Sequence, residues 1–302
     1  MTALIVLLSI AALFAITAYL VIYNIGPSIL LKPLRRHADY YKEKYPWLTP
    51  RDAGLPQEDV AITTEDGLRL HCWFIRARSN SRGTVIYIHG VGDNRVSGIP
   101  RAKLFHDHGF HVFLPDMRRH GDSEGEYCTY GYHEKHDVKR MIDFLFRQAD
   151  LKVGHLMVFG LSMGAATALQ AAVMDDRIKL VISEGCFTDL RTIALDYQKR
   201  YIKVRWKFIG RIVMRRSERL AGFRADDVSP LAAVEKITAP TLFTHGKNDP
   251  LISPDYSRTL FEQARGPKEL YFIDEAKHGD VWEAGGEEYG RKILEFVQHH
   301  LH

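Results

Sequence analysis

The sequence predicts an α/β fold: a mostly parallel, doubly wound sheet with a helical cap, preceded by one N-terminal transmembrane helix. Three observations predict it. Short apolar runs alternate with stretches of helical composition, as βαβ units require. The stretch "VFGLSMGAAT" (158–167) sets one serine between two glycines, where an apolar run gives way to strong helix formers. Residues 3–23, "ALIVLLSIAALFAITAYLVIY", carry no charge.

Taken from the N-terminus, the uncharged run would span about 31 Å as a helix, the thickness of a bilayer's hydrocarbon core. Twelve of its residues are Leu, Ile, Val or Phe. At about −0.4 kcal/mol each they favour insertion by about 5 kcal/mol. A cleaved signal peptide would want a basic start, a shorter apolar core and a small-residue cleavage site. No Lys or Arg precedes this run, and Gly26-Pro27 follow it. Residues 1–26 are therefore expected to be an uncleaved, single-pass anchor. Residues 27–56 form a basic juxtamembrane stalk, expected to be helical over 28–48. Over residues 32–51, Lys32, Arg35, Arg36, Lys42, Lys44 and Arg51 face only Asp39 and Glu43, which puts the following domain on the cytoplasmic side. Cys72, Cys128 and Cys186, odd in number and widely spaced, read as buried free thiols, neither a disulfide framework nor a metal site.

Residues 57–302 form the main domain. "DVAITTEDGLRLHCWFIRA" alternates apolar and polar residues around a turn at Asp66-Gly67, which predicts an antiparallel hairpin. Buried strands follow in "GTVIYIHG" (83–90), "FHVFLP" (110–115), Leu156–Phe159, "KLVISEG" (179–185), Thr241–Thr244 and Leu270–Ile273, with helices over 131–148, after Ser162, and near 287–301. In such sheets ligands bind at the C-terminal ends of the strands.

A serine hydroxyl is a weak nucleophile at neutral pH and needs a base, which in turn needs a partner to fix its tautomer. Asp249 follows one predicted strand in "HGKNDPLIS", and His278 follows the next in "DEAKHGD". Three bland assignments (a tight βα turn at Ser162, a turn aspartate before Pro250, a surface histidine) would have to coincide to give the order Ser162, Asp249, His278. The oxyanion of acyl transfer needs donors. The backbone N–H of Met163, at the start of a helix, and that of Val91, in "IHGVGDNR", are the candidates. His89 reads as support for that loop. No cofactor or metal is required.

With His-Gly at 89–90, "PDMRRHGDSEG", "GLSMG", "HGKND" and the late "KHG", residues 57–302 resemble the α/β-hydrolase superfamily of serine hydrolases. With the anchor, the chain resembles its membrane-anchored BEM46-like branch and, more loosely, the mammalian α/β-hydrolase-domain proteins 12, 13 and 17. The resemblance implies an ester or thioester hydrolase with Ser162, Asp249 and His278 as triad. Substrates in the family include monoacylglycerols, lysophospholipids and palmitoylated proteins.

The fold's cap falls at about 187–230. Eleven Lys or Arg stand there against five Asp or Glu, while the whole chain carries only +4. Tyr201, Ile202, Val204, Trp206, Phe208, Ile209, Ile212, Val213 and Met214 are interleaved with those charges. This suits a lid lying on an anionic membrane surface. The apolar side of such a lid, including Trp206 and Phe208, is expected to accept acyl chains; the alternative is a solvated cap helix whose apolar side covers the active site. Nucleic-acid binding is excluded for want of a recognition fold. The sequence thus reads as a membrane-anchored serine hydrolase of carboxylic esters or thioesters, its substrate drawn from lipids. Its rivals are a peptidase of the same fold and a catalytically silent membrane-bound scaffold.

Overall fold

The computed structural model describes residues 2–78, 81–203 and 206–301, with the backbone alone at residues 2, 201 and 202. In chain order the elements are α1 (Thr2–Leu31), β1 (Glu58–Thr63), β2 (Arg69–Ile75), β3 (Gly83–Ile88), α2 (Ile99–Asp107), β4 (Phe110–Pro115), α3 (Glu134–Arg147), β5 (His155–Leu161), α4 (Met163–Ala172) and β6 (Ile178–Glu184). Then come α5 (Leu190–Ile202), α6 (Lys207–Ala221), α7 (Pro230–Val234), β7 (Thr241–Gly246), α8 (Pro254–Gln263), β8 (Lys268–Ile273) and α9 (Val281–His300). The eight strands form one sheet in the order β1-β2-β4-β3-β5-β6-β7-β8. β1 and β2 pair antiparallel, as do β2 and β4, and every other pairing is parallel.

The continuous apolar runs are explained by burial on both faces of the sheet. Along β3, Ile86 and Ile88 pack into one core with Val158 and Met163, while Val85 and Tyr87 pack into the other with Phe105, Phe159 and Ile182. All three cysteines are buried and free. The hairpin turn carries Gly67 at φ +84°, and Gly67 N–H donates to the Thr64 carbonyl. The C-terminal helix starts earlier than expected, at Val281. Gly286, at φ 51°, kinks it, and the expected segment is the part beyond the kink.

Helix α1 departs most from the sequence reading. It does not stop at residue 26 but runs through Pro27 to Leu31, because its last turns rest on the domain. The backbone at Gly26 lies against Val213 of α6, Arg216 stacks on the Tyr23 ring, and Leu31 is wholly buried. Pro33 then ends the helix, since the residue before a proline is pushed out of the helical region. The helix expected over 28–48 is therefore limited to that last turn and a 3₁₀ turn at Ala38–Tyr41. Residues 3–31 are long and apolar enough to cross a bilayer, and the side chains of 3–17 are exposed.

Helices α5 and α6 make up the cap. Arg200 of α5 donates to the Leu251 carbonyl at 2.7 Å, and Tyr256 bonds to Asp196, so α5 lies across the loop after β7. Val204 and the side chains of Tyr201 and Ile202 lie outside the described residues. Trp206 and Phe208 are 58 % and 70 % exposed, so they point away from the core rather than covering the site.

Candidate active site

β5 ends at Leu161 and α4 begins at Met163, which leaves Ser162 alone to make the turn, at φ 56° and ψ −113°. Few non-glycine residues adopt such a backbone, and it persists only where the surroundings enforce it. Ser162 N–H donates to the Glu184 carbonyl on neighbouring β6 at 2.7 Å, and its own carbonyl accepts from Ala166 at 3.0 Å. A Cβ at Gly160 would collide with the Gly164 carbonyl, and one at Gly164 with the Ile88 carbonyl. Both glycines are thus required for strand and helix to meet. Glu184 is itself held: its carboxylate accepts from buried Arg101 at 3.0 Å and from the Tyr289 hydroxyl at 2.9 Å.

The structure brings Ser162, His278 and Asp249 together. His278 Nε2 lies 3.0 Å from Ser162 Oγ, and its Nδ1 lies 2.7 Å from Asp249 Oδ2. With Nδ1–H donating to the carboxylate, Nε2 is left as an acceptor facing the hydroxyl. Asp249 Oδ1 accepts from the N–H groups of Leu251 (2.7 Å) and Ile252 (2.9 Å). Burial opposes charge on this carboxyl. Hydrogen bonds from His245, His278 and the Ile252 N–H outweigh it and hold the group well below the usual carboxylate range.

His245 was not singled out from the sequence. Its Nε2 lies 3.0 Å from Asp249 Oδ2 and its Nδ1 2.7 Å from Ser257 Oγ, so it braces the carboxylate from behind. The signal was present in "HGKND", where a strand-terminal histidine precedes the aspartate by four residues. Strand ends, however, do not announce which side chain turns toward a neighbour.

The loop after β3 is built around one peptide plane. Gly90 O lies 2.8 Å from His89 Nδ1 and accepts from Asp93 N–H at 3.2 Å, closing a turn with Gly92 at φ +69°. Because the peptide is planar and trans, fixing that carbonyl also fixes the Val91 N–H on its opposite edge. A Cβ at Gly90 would sit 3.6 Å from Ser162 Cβ, which places the turn beside the serine. His89 is buried, and its Nε2 accepts from Met117 N–H at 3.0 Å. With both ring nitrogens engaged, it supports the loop and offers no base to Ser162. Met163 is the first residue of α4, so its N–H has no acceptor within the helix.

Eight strands in this order, with a strained serine after the fifth, define an α/β-hydrolase fold. A family model described as the alpha/beta hydrolase fold matches residues 83–208. The Bacillus subtilis protein YqkD is 32 % identical over 226 residues, 73 % of each chain. The Arabidopsis thaliana alpha/beta hydrolase domain-containing protein WAV2 is 27 % identical over 266 residues, 85 % of this chain and 83 % of that one. Among solved structures, the Pyrococcus furiosus esterase Pf2001 superposes with a TM-score of 0.72 at 25 % identity, covering 90 % of this chain and 99 % of its own. The chain belongs to the α/β-hydrolase superfamily, and its esterase-like fold supports hydrolase activity.

Proposed function

We propose that the protein is a membrane-anchored serine hydrolase of carboxylic esters or thioesters derived from lipids, as in the BEM46-like branch that it resembles. The observation that carries this reading is the hydrogen-bonded chain from Ser162 through His278 to Asp249 at a strained turn. Ser162 Oγ attacks the acyl carbon while His278 Nε2 takes its proton. The N–H groups of Val91 and Met163 hold the oxyanion. His278 then protonates the leaving group, and water, deprotonated by the same nitrogen, releases the acid from the acyl-enzyme. Asp249 keeps the imidazole in the required tautomer. Ser162 is only 3 % exposed, and in so dry a site each donor acts more strongly than it would in water.

A lipid-derived substrate has a direct test. Each acyl CH₂ buried through the transition state contributes about 0.8 kcal/mol, so kcat/KM should rise about threefold to fourfold per CH₂. A series of p-nitrophenyl esters below their micellar limits is expected to show that rise, stopping where the pocket ends. Preference for acetyl esters, or faster cleavage of aminoacyl amides, would overturn the lipid assignment and, in the second case, favour a peptidase. Because Trp206 and Phe208 face outward, changing both to Ser should leave the chain-length dependence intact.

Membrane attachment rests on α1 and on the outer face of α6. Lys207, Arg211, Arg215 and Arg219 recur every fourth residue and are all exposed, with Trp206 and Phe208 at the same helix's start. Near an anionic surface each cation contributes about 1 kcal/mol. The chain lacking residues 2–22 should still sediment with phosphatidylcholine–phosphatidylglycerol vesicles at low salt. It should be released near 1 M salt, where the screening length falls to about 3 Å. Full release at low salt would remove the basic face from the proposal. Labelling of engineered stalk cysteines from the cytoplasmic side only is the expected topology, and labelling only from outside would reverse it.

A further inference from the structure

Between α1 and β1 the chain crosses the turn that follows β3. Leu31 O accepts from Cys128 N–H at 2.8 Å, and Leu30 O from the Tyr130 hydroxyl at 2.8 Å, which fixes where the crossing begins. Arg35 then donates to the carbonyls of Ser123 (2.9 Å) and Gly125 (3.2 Å). Three contacts reach the turn itself. The Leu34 carbonyl lies over Gly92, close enough that a Cβ there would stand 3.5 Å away. Asn94 Nδ2 donates to the Arg36 carbonyl at 2.9 Å. The hydroxyl of buried Tyr41 donates to the Asp93 carboxylate.

We propose that Leu34–Tyr41 is a positioning element for the Gly90–Asp93 turn, and that Tyr41 and the Arg36 carbonyl, acting through Asp93 and Asn94, set the direction of the Val91 N–H. This rests on the assignment of Val91 to the oxyanion hole. The turn is pinned at its near end by His89 and at its far end by Asp93 and Asn94. The far end is bonded to the chain that leads in from α1, whose Leu34 carbonyl also lies over Gly92. Tyr41 and Asn94 touch no reacting atom; they act through the turn. A shift of about 1 Å in an oxyanion donor is enough to cost about a hundredfold in rate. The chain joining the anchor to the domain is on this reading part of the catalytic geometry, and not a tether.

The test compares full-length wild type with Tyr41→Phe, Asn94→Ser and the double variant in detergent, on p-nitrophenyl butyrate. Tyr41→Phe removes one hydroxyl. Asn94→Ser keeps a side-chain cap for the following 3₁₀ turn, where Asn94 Oδ1 now accepts from Val96 N–H, but loses the reach to Arg36. The double variant is expected to lose about 10- to 100-fold in kcat at unchanged KM. The inhibition constant of butylboronic acid, whose tetrahedral adduct needs the same donors, should rise by the same factor. A lowered Tm with kcat and boronate affinity intact would make the segment a structural brace and overturn the proposal, leaving the hydrolase reading in place. A wild type that neither hydrolyses esters nor reacts with a fluorophosphonate would overturn the hydrolase reading itself, and this inference with it.

Discussion

Ser162→Ala is expected to lower turnover by about a million-fold and to abolish labelling by a fluorophosphonate. The serine sits 3.0 Å from the one histidine nitrogen left free to accept its proton, and the next residue, Met163, opens α4 with an N–H that has no acceptor within the helix. Removing Oγ leaves the turn, the histidine and the donors in place, so the melting temperature should change little. Mass spectrometry of the labelled wild type should find the adduct on the peptide containing Ser162. An adduct on Ser123 or Ser183 would sink the assignment. Ser123 Oγ is already spent, donating to the Asp116 carbonyl at 2.7 Å and accepting from His71 N–H at 2.8 Å, and Ser183 is fully buried.

Asp249→Asn should lower turnover by about ten-thousand-fold, because the amide stabilises the wrong imidazole tautomer. Stability should fall as well. Oδ2 faces the two histidines and Oδ1 faces two backbone N–H groups, so the amide nitrogen meets donors whichever way it turns. Folding depresses the carboxyl's pKa. Its stabilisation is therefore complete above the unfolded value of about 4 and is lost only as pH falls through the lower, folded value. Chemical denaturation should accordingly show the widest gap between wild type and variant at neutral pH, closing in strong acid. Activity near the wild-type level would move the acid elsewhere. Asp189 would be the next candidate, although its Oδ1 accepts from Thr192 N–H at 2.8 Å as the cap of α5.

The strands and the three residues gathered at their ends were legible because each rests on local signals. A strand buried on both faces must be a continuous apolar run, and a nucleophile turn must have glycines where strand and helix touch. Asp249 and His278 could be placed because chain order and strand ends limit which residues can meet. His245 was missed because bracing a carboxylate leaves no periodicity behind. The stalk was misread for a related reason. Residues 28–48 have helical composition, but their structure is set by what lies beneath them: Leu31 fills a core, and Tyr41 reaches a carboxylate more than fifty residues away in sequence. Composition suggests Trp206 and Phe208 as acyl-chain contacts in a lid, but it does not say which way a helix is turned, and both are exposed.

The backbone at Ser162 has a consequence for which residue this position would hold at least cost. A side chain at φ 56°, ψ −113° costs of order 1–3 kcal/mol, against a total stability of about 5–15 kcal/mol for a typical domain. Glycine would relieve most of that cost. Stability alone would therefore favour glycine here, since stabilising replacements are easy to find where a chain is strained. The serine thus stands at a cost that stability does not explain, between two glycines at which a Cβ would collide with neighbouring carbonyls.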